Sequence, residues 1–158
     1  MNRKNPDTDS VRIDVREYEL PGGWQVLVGR TDTDNDLLST QVAQSDDWWF
    51  HVRGLPGSHV ILRARQGVEP DKETLKRAAA IAAYHSKARN AGLTPVSCTL
   101  ARNVSKPRRA KPGSVQIQKE IVLKVRPALP CQVCTLLLFK CRISRTGDTP
   151  GPARIHTL

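Results

Sequence analysis

Apolar and polar residues alternate from Val11 to Leu20, with Val11, Ile13 and Val15 on one side and Arg12, Asp14 and Arg16 on the other. That is the period of a half-buried strand. Pro21-Gly22-Gly23 is a turn signal and Trp24 to Val28 a second strand, so the pair predicts a hairpin. A polar loop, Gly29 to Asp34, leads to a short helix that carries Leu37, Leu38, Thr40 and Val42 and is capped by Asn35 or Asp36. Trp48 to Val52 and Ser58 to Leu62 predict two more strands, joined by Arg53-Gly-Leu-Pro-Gly57. The clearest helical period runs from about Pro70 to Asn90, where Leu75, Ala78, Ala79, Ala82, Ala83 and Ser86 recur at i, i+3, i+4, i+7. Pro70, Asp71 and Glu73 suit its first turn and Gly92 its stop. Its small apolar face lets it lie close to a sheet. Pro95 to Leu100 then reads as a strand, Val104 to Gly113 as a basic loop, and Ser114 to Ile117 with Glu120 to Val125 as one or two further strands. The order predicts an α+β fold: a mixed, largely antiparallel sheet with one long and one short helix packed on it, both on one side.

At 158 residues this is a one-domain proposition. The expected division is a disordered leader over 1–10, a domain over 11–127 and an atypical tail over 128–158. No hydrophobic run approaches the roughly 20 residues of a membrane helix, and Met1 to Ser10 has no apolar core of a secretory signal. A cytoplasmic protein without membrane partners is expected. The net charge of +10 changes the picture once it is located. Met1 to Glu73 holds nine basic and thirteen acidic residues, a net of −4, whereas Thr74 to Leu158 holds sixteen basic and two acidic, a net of +14. A field confined to one half points to a basic face for a polyanion, nucleic acid ahead of membrane.

Three segments carry candidate chemistry. Ser45 to Val60 places Trp48 and Phe50 on one strand face and Trp49 and His51 on the other. The second pair reads either as an exposed platform for stacking unpaired bases or as core. Arg102 to Gly113 carries five cations, Arg102, Lys106, Arg108, Arg109 and Lys111, with no acid and two prolines, and suits phosphate contact. Tyr84 to Arg89 ends the long helix with His85, Lys87 and Arg89, cations that also complement the negative helix terminus. Asp32-x-Asp34-x-Asp36 has the spacing of a calcium loop but Leu37 and Ala43 where Gly and Glu are needed. Cys131-x-x-Cys134 with Cys141 and His156 has a metal site's count without paired knuckles, so reduced thiols are expected, and Cys98 reads as core. No P-loop, GxGxxG, GxSxG or HExxH motif is present. No cofactor or metal is expected, and the oligomeric state is not specified.

Four blocks, in order and at compatible spacing, resemble the NFACT RNA-binding domain: Leu27-Val-Gly-Arg30 with Asn35, Asp36 and Leu38; Asp47-x-Trp49-Phe-His51-Val-Arg-Gly-x-Pro-Gly-Ser-His-Val60; Ala78-Ala79 through Tyr84-x-Ser86-Lys-Ala-Arg89; and Val104-x-Lys106-x5-Lys111-Pro-Gly113-x-Val115. The resemblance covers roughly Asp14 to Pro127. It implies an RNA-binding module; large members of the family combine it with an N-terminal glycosylase-like domain and coiled coils on the large ribosomal subunit, in ribosome-associated quality control. With one domain, this chain is expected to bind RNA (tRNA or rRNA) without the tailing activity of those proteins. The expected RNA contacts are Arg30, Asn35, Asp36, Trp49, His51, Arg53, Ser58, His59, Lys87, Arg89, Arg102, Lys106, Arg108, Arg109 and Lys111. An RNA-processing or RNA-modifying enzyme using His51 and His59 is the alternative, and an adaptor docking on a ribosomal protein a third class.

Overall fold

The computed structural model describes residues 12–130. Strands β1 (Val15–Leu20) and β2 (Trp24–Gly29) form the expected hairpin, closed by the Gly23 amide donating to the Leu20 carbonyl at 3.1 Å. After β2 come helix α1 (Asp32–Leu37), a wide π turn (Leu38–Val42), and strands β3 (Trp48–Val52) and β4 (Val60–Leu62). Helix α2 (Lys72–Tyr84) crosses to β5 (Thr94–Leu100); a two-stranded pair, β6 (Val104–Ser105) and β7 (Gln116–Ile117), brackets the basic loop before β8 (Ile121–Val125). The main sheet has the order β1-β2-β4-β3-β5-β8, antiparallel at every pairing.

Alternation decides what each face buries. Val26, Val28, Phe50, Val60, Leu62, Val96 and Cys98 lie beneath the alanine face of α2, whose lack of bulk lets the helix sit directly on the strands. The opposite face carries Leu27, Trp49 and Ile61, covered by Leu38 and flanked by Val42, Val104, Val115 and Ile117. The two helical segments therefore sit on opposite faces rather than on one side, because α1 and the π turn are tethered to the end of β2 and fold over the face that α2 leaves bare. Among the described residues no helix is long and apolar enough to cross a membrane.

The first helix is capped by a residue other than those expected, and the second is shorter than its expected range. Thr31, not Asn35 or Asp36, caps α1: its hydroxyl accepts from the Asp34 amide at 3.1 Å while its own amide donates to Asp34 Oδ2 at 3.1 Å. Asn35 and Asp36 fall inside the helix. Asp71 caps α2 by accepting from the Thr74 amide at 2.8 Å, and the helix stops at His85 instead of continuing to Asn90. It stops because Ser86 leaves the helical path to form a bridge with Gly57. The leader (1–10) and the tail bearing Cys131, Cys134, Cys141 and His156 lie outside the described residues. Among the described residues no His, Cys, Asp or Glu cluster is arranged to hold a metal ion. Cys98 is buried and free, its thiol pushed up to about 11 by burial and by Glu120.

Candidate nucleic-acid interface

Two tight backbone contacts shape the interface. The β3–β4 connection runs against the end of α2: Ser58 N–H donates to the His85 carbonyl at 2.9 Å and Lys87 N–H to the Pro56 carbonyl at 3.1 Å. This zipper needs glycine at 57, where an added Cβ would sit 2.7 Å from Ser86 Cβ. Gly29 is needed for the same reason, since a Cβ there would fall 2.2 Å from Asn35 Oδ1. The Gly29 amide donates to the His59 carbonyl at 3.1 Å, and Asn35 Oδ1 accepts from the His59 amide at 3.0 Å. Sheet, α1 and hairpin are thereby locked together at one corner.

Above that corner opens a groove of about 420 Å³. Arg16 reaches it from β1, Arg30 from the end of β2, and Lys87 and Arg89 from the turn after α2. All four side chains are exposed. Arg89 is oriented by Tyr84, whose hydroxyl accepts from its guanidinium and whose ring lies 4.1 Å beneath it. Arg30 pairs with the solvent-exposed Asp14 at 3.2 Å, a pair weak enough to exchange for a phosphate. His85 forms one wall; its Nε2 lies 2.8 Å from the Tyr18 hydroxyl. Burial first, then Arg16 and Arg89, push its pKa down to about 4, so it presents a neutral ring at pH 7.

Beneath the groove lies a polar network. Trp49 Nε1 donates to Ser39 Oγ at 3.0 Å, and Ser39 Oγ is 2.7 Å from His59 Nδ1. His51 stacks on Trp49 at 5.9 Å between centroids and meets His59 edge-on at 5.3 Å. His59 is 2% exposed, and burial followed by the neighbouring His51 lowers its pKa to about 4. Burial also lowers the pKa of the half-buried His51. These facts correct the stacking-platform reading: Trp49, at 3% exposure, and His59 are covered by Leu38 and the 104–117 segment and offer no face to a base. The burial also sets His59, one of the two imidazoles of the enzyme reading, out of reach of a phosphodiester.

The three aspartates of α1 divide their work. Asp34 is buried and accepts from Thr31 Oγ1 at 2.6 Å and from the Asp14 amide at 3.1 Å; the Thr31 hydroxyl foremost holds its carboxyl below the usual range. Asp36 clamps the basic loop, accepting from Lys106 Nζ at 2.7 Å and from the Gly113 amide at 3.0 Å. Lys106 also donates to the Lys111 carbonyl at 3.0 Å. Asp32 lines the groove, and Gly113 packs against it, which sets the loop's end beside the groove's rim. Arg108, Arg109 and Lys111 are exposed along that loop, and none forms an ion pair among the described residues.

Of the expected contacts, the structure gathers Arg30, Ser58, Lys87 and Arg89 at the groove, and Gly113, at the end of the loop that bears Arg108, Arg109 and Lys111, packs against Asp32 in its lining. Asn35, Asp36, Trp49, His59 and Lys106 are correspondingly reassigned to the supporting framework, with His51 on its margin. Arg53 pairs with Glu120 at 3.6 Å and Arg102 with Asp46 at 3.4 Å, both outside the groove. Sequence reasoning missed Arg16. Its only signal was its place on an edge strand whose register puts it opposite Val28.

The family model described as NFACT protein RNA binding domain matches residues 15–119, which span the groove, its framework and the basic loop. The chain belongs to the NFACT RNA-binding domain family. Rqc2 homolog RqcH of Bacillus subtilis (strain 168) is 44% identical over 113 residues, 72% of this chain and 19% of that protein. Rqc2 homolog RqcH of Streptococcus suis (strain 05ZYH33) is 37% identical over 112 residues, 71% of this chain and 20% of that protein. This NFACT domain chain thus spans about a fifth of the length of the curated relatives it matches. Among solved structures, the C-terminal part of the fibronectin/fibrinogen-binding protein from Streptococcus suis superposes with a TM-score of 0.69 at 32% identity, over 81% of this chain and 51% of that one.

Proposed function

We propose that this NFACT domain holds structured RNA, tRNA or rRNA, at the large ribosomal subunit in the cytoplasm, as a binding module of ribosome-associated quality control. The observation that carries the reading is the convergence of Arg16, Arg30, Lys87 and Arg89, drawn from three distant segments, on one groove with the Arg108–Lys111 loop beside it. Four exposed cations around a single mouth repel one another unless a polyanion is the intended partner. Apart from the four cations and Asp32, the groove walls are backbone and neutral side chains, Gly57, Ser58 and His85 among them, which suits recognition of backbone shape more than base sequence. The matches to RqcH proteins support the link to quality control.

The test is binding of tRNA and rRNA fragments over a salt series. Each phosphate contact contributes about 0.9 to the slope of log affinity against log salt for duplex and about 0.7 for single strands. Arg16→Ala/Lys87→Ala/Arg89→Ala should weaken binding to all fragments alike and lower the slope by about two to three. No binding at low salt, or an unchanged slope in the triple variant, overturns the proposal.

A further inference from the structure

We infer that a second pocket, at the opposite end of α2 from the groove, takes one unpaired nucleobase of the bound RNA, stacked on Trp48 with its phosphate on Arg102. The inference rests on the RNA-binding reading above and extends it to a site outside the groove. The pocket, about 490 Å³, lies between the start of β3, the turn that leads from β4 into α2, and the end of β5. That volume falls in the range of about 300–1,000 Å³ that encloses small ligands, and is too small for duplex.

Trp48 is the tryptophan of β3 left partly open. It faces the α2 side of the sheet between Leu62 and Leu100, where it both packs against the core and lines the pocket. The exposed Val68 and the half-buried Leu100 continue the apolar wall. Such a surface accepts the face of any base.

Arg102 stands at the rim. Its amide donates to the Ser45 carbonyl at 3.2 Å, which fixes its backbone, while its guanidinium's one ion pair among the described residues is with Asp46 at 3.4 Å, both side chains being more than half exposed. An exposed pair of that kind yields readily to a phosphate. Arg65, by contrast, is committed to the Gly22 carbonyl and the Trp24 ring and forms a fixed wall. The carboxylates of Asp46 and Glu69 in the lining accept from exocyclic amino groups and repel further phosphates, so the pocket suits one base and one phosphate rather than a run of backbone. The thirteen residues of α2, at 1.5 Å per residue, set the pocket about 20 Å from the groove, a span of a few nucleotides.

The experiment compares the affinity of the full chain for an RNA hairpin that is blunt or carries a short single-stranded extension. The extension should strengthen binding of the unsubstituted protein by about tenfold. Trp48→Leu should abolish that gain, leave binding of the blunt hairpin unchanged and leave the melting temperature within a few degrees. Arg102→Ala, at an exposed side chain, should cut the gain without any folding effect and carries the test if Trp48→Leu does not fold. If the blunt hairpin binds and the extension adds nothing, or if the gain survives both substitutions, the pocket is not a base site and the groove reading stands. If neither RNA binds at low salt, both readings fall.

Discussion

A cation on the basic loop can either touch a phosphate or hold the loop in shape, and the geometry gives Lys106 the second role. Its ammonium donates to Asp36 at 2.7 Å and to the carbonyls of Lys111 and Ser114 at 3.0 and 3.4 Å, and its side chain is only 27% exposed. Lys106→Met keeps the aliphatic stem but removes all three bonds, leaving the 17% exposed carboxylate of Asp36 with the Gly113 amide as its partner. Breaking a fully buried pair costs about 3–5 kcal/mol and an exposed one about 0–1. A half-buried pair falls between them, at about 2 kcal/mol, or a melting temperature lower by about 4–8 °C. The residues from Pro107 to Pro112 then lose a tether at each end, and the RNA must bear the cost of ordering them. At about 1–2 kcal/mol for each residue fixed, reordering a single residue weakens binding by about tenfold. The salt slope should not change, because no phosphate contact is lost. Arg108→Ala, in contrast, should lower the slope by about one. Filter binding of tRNA over a salt series, with thermal melts of the same samples, separates the two patterns. A Lys106→Met protein with unaltered melting and a slope reduced by about one would refute the clamp.

Three further outcomes follow from the same geometry. Asp47 is fully buried and accepts from Arg63 at 2.8 Å and from the Gln44 and Ala64 amides at 2.8 and 2.7 Å, so Asp47→Ala should destabilise the fold by about 3–5 kcal/mol, read as the shift in urea midpoint at constant m-value. Arg109 has a φ of +68° in the turn closed by the Ala110 amide on the Pro107 carbonyl, so Arg109→Gly should raise stability by about 1 kcal/mol while lowering the salt slope of RNA binding by about one; a loss of stability would contradict the strain argument. His59 and His85 fold with pKa values of about 4, below their unfolded 6.5, so their contribution is complete above pH 6.5 and is lost as the pH falls toward 4. The buried His59 alone should cost about 2 kcal/mol between pH 7.5 and pH 5, and a urea midpoint that does not move over that interval would sink the assignment.

What the sequence made legible, and what it hid, divides along one physical line. Strand alternation and the alanine stripe of α2 are local signals, and they located β2, β3 and β5 closely and revealed β1 and the long helix, though over ranges longer than the observed ones. The ends of the helices were set by partners distant in the chain: Ser86 leaves α2 because Gly57 is waiting for it, and Thr31 caps α1 through an aspartate that also receives the Asp14 amide. The same reason explains the misjudged platform. Trp49, His51 and His59 stood out by their rarity, and Trp49 and His51 shared a strand face, but whether that face met water depended on Leu38 and on Val104, Val115 and Ile117, the last three more than fifty residues downstream of Trp49. Once covered, their polar atoms needed partners. Trp49 bonds to Ser39, Ser39 to His59, and His59 to Asn35, and no buried side-chain polar atom among the described residues is left unsatisfied. The motif is therefore the inner frame of the interface. It ties α1 and the β3–β4 connection to the sheet, and those two elements, with the end of α2 that the connection pins, deliver Arg30, Lys87 and Arg89 to one groove. Substitutions in the frame should consequently change stability first and RNA binding through it, whereas substitutions at the groove should change binding and its salt dependence and leave the fold intact.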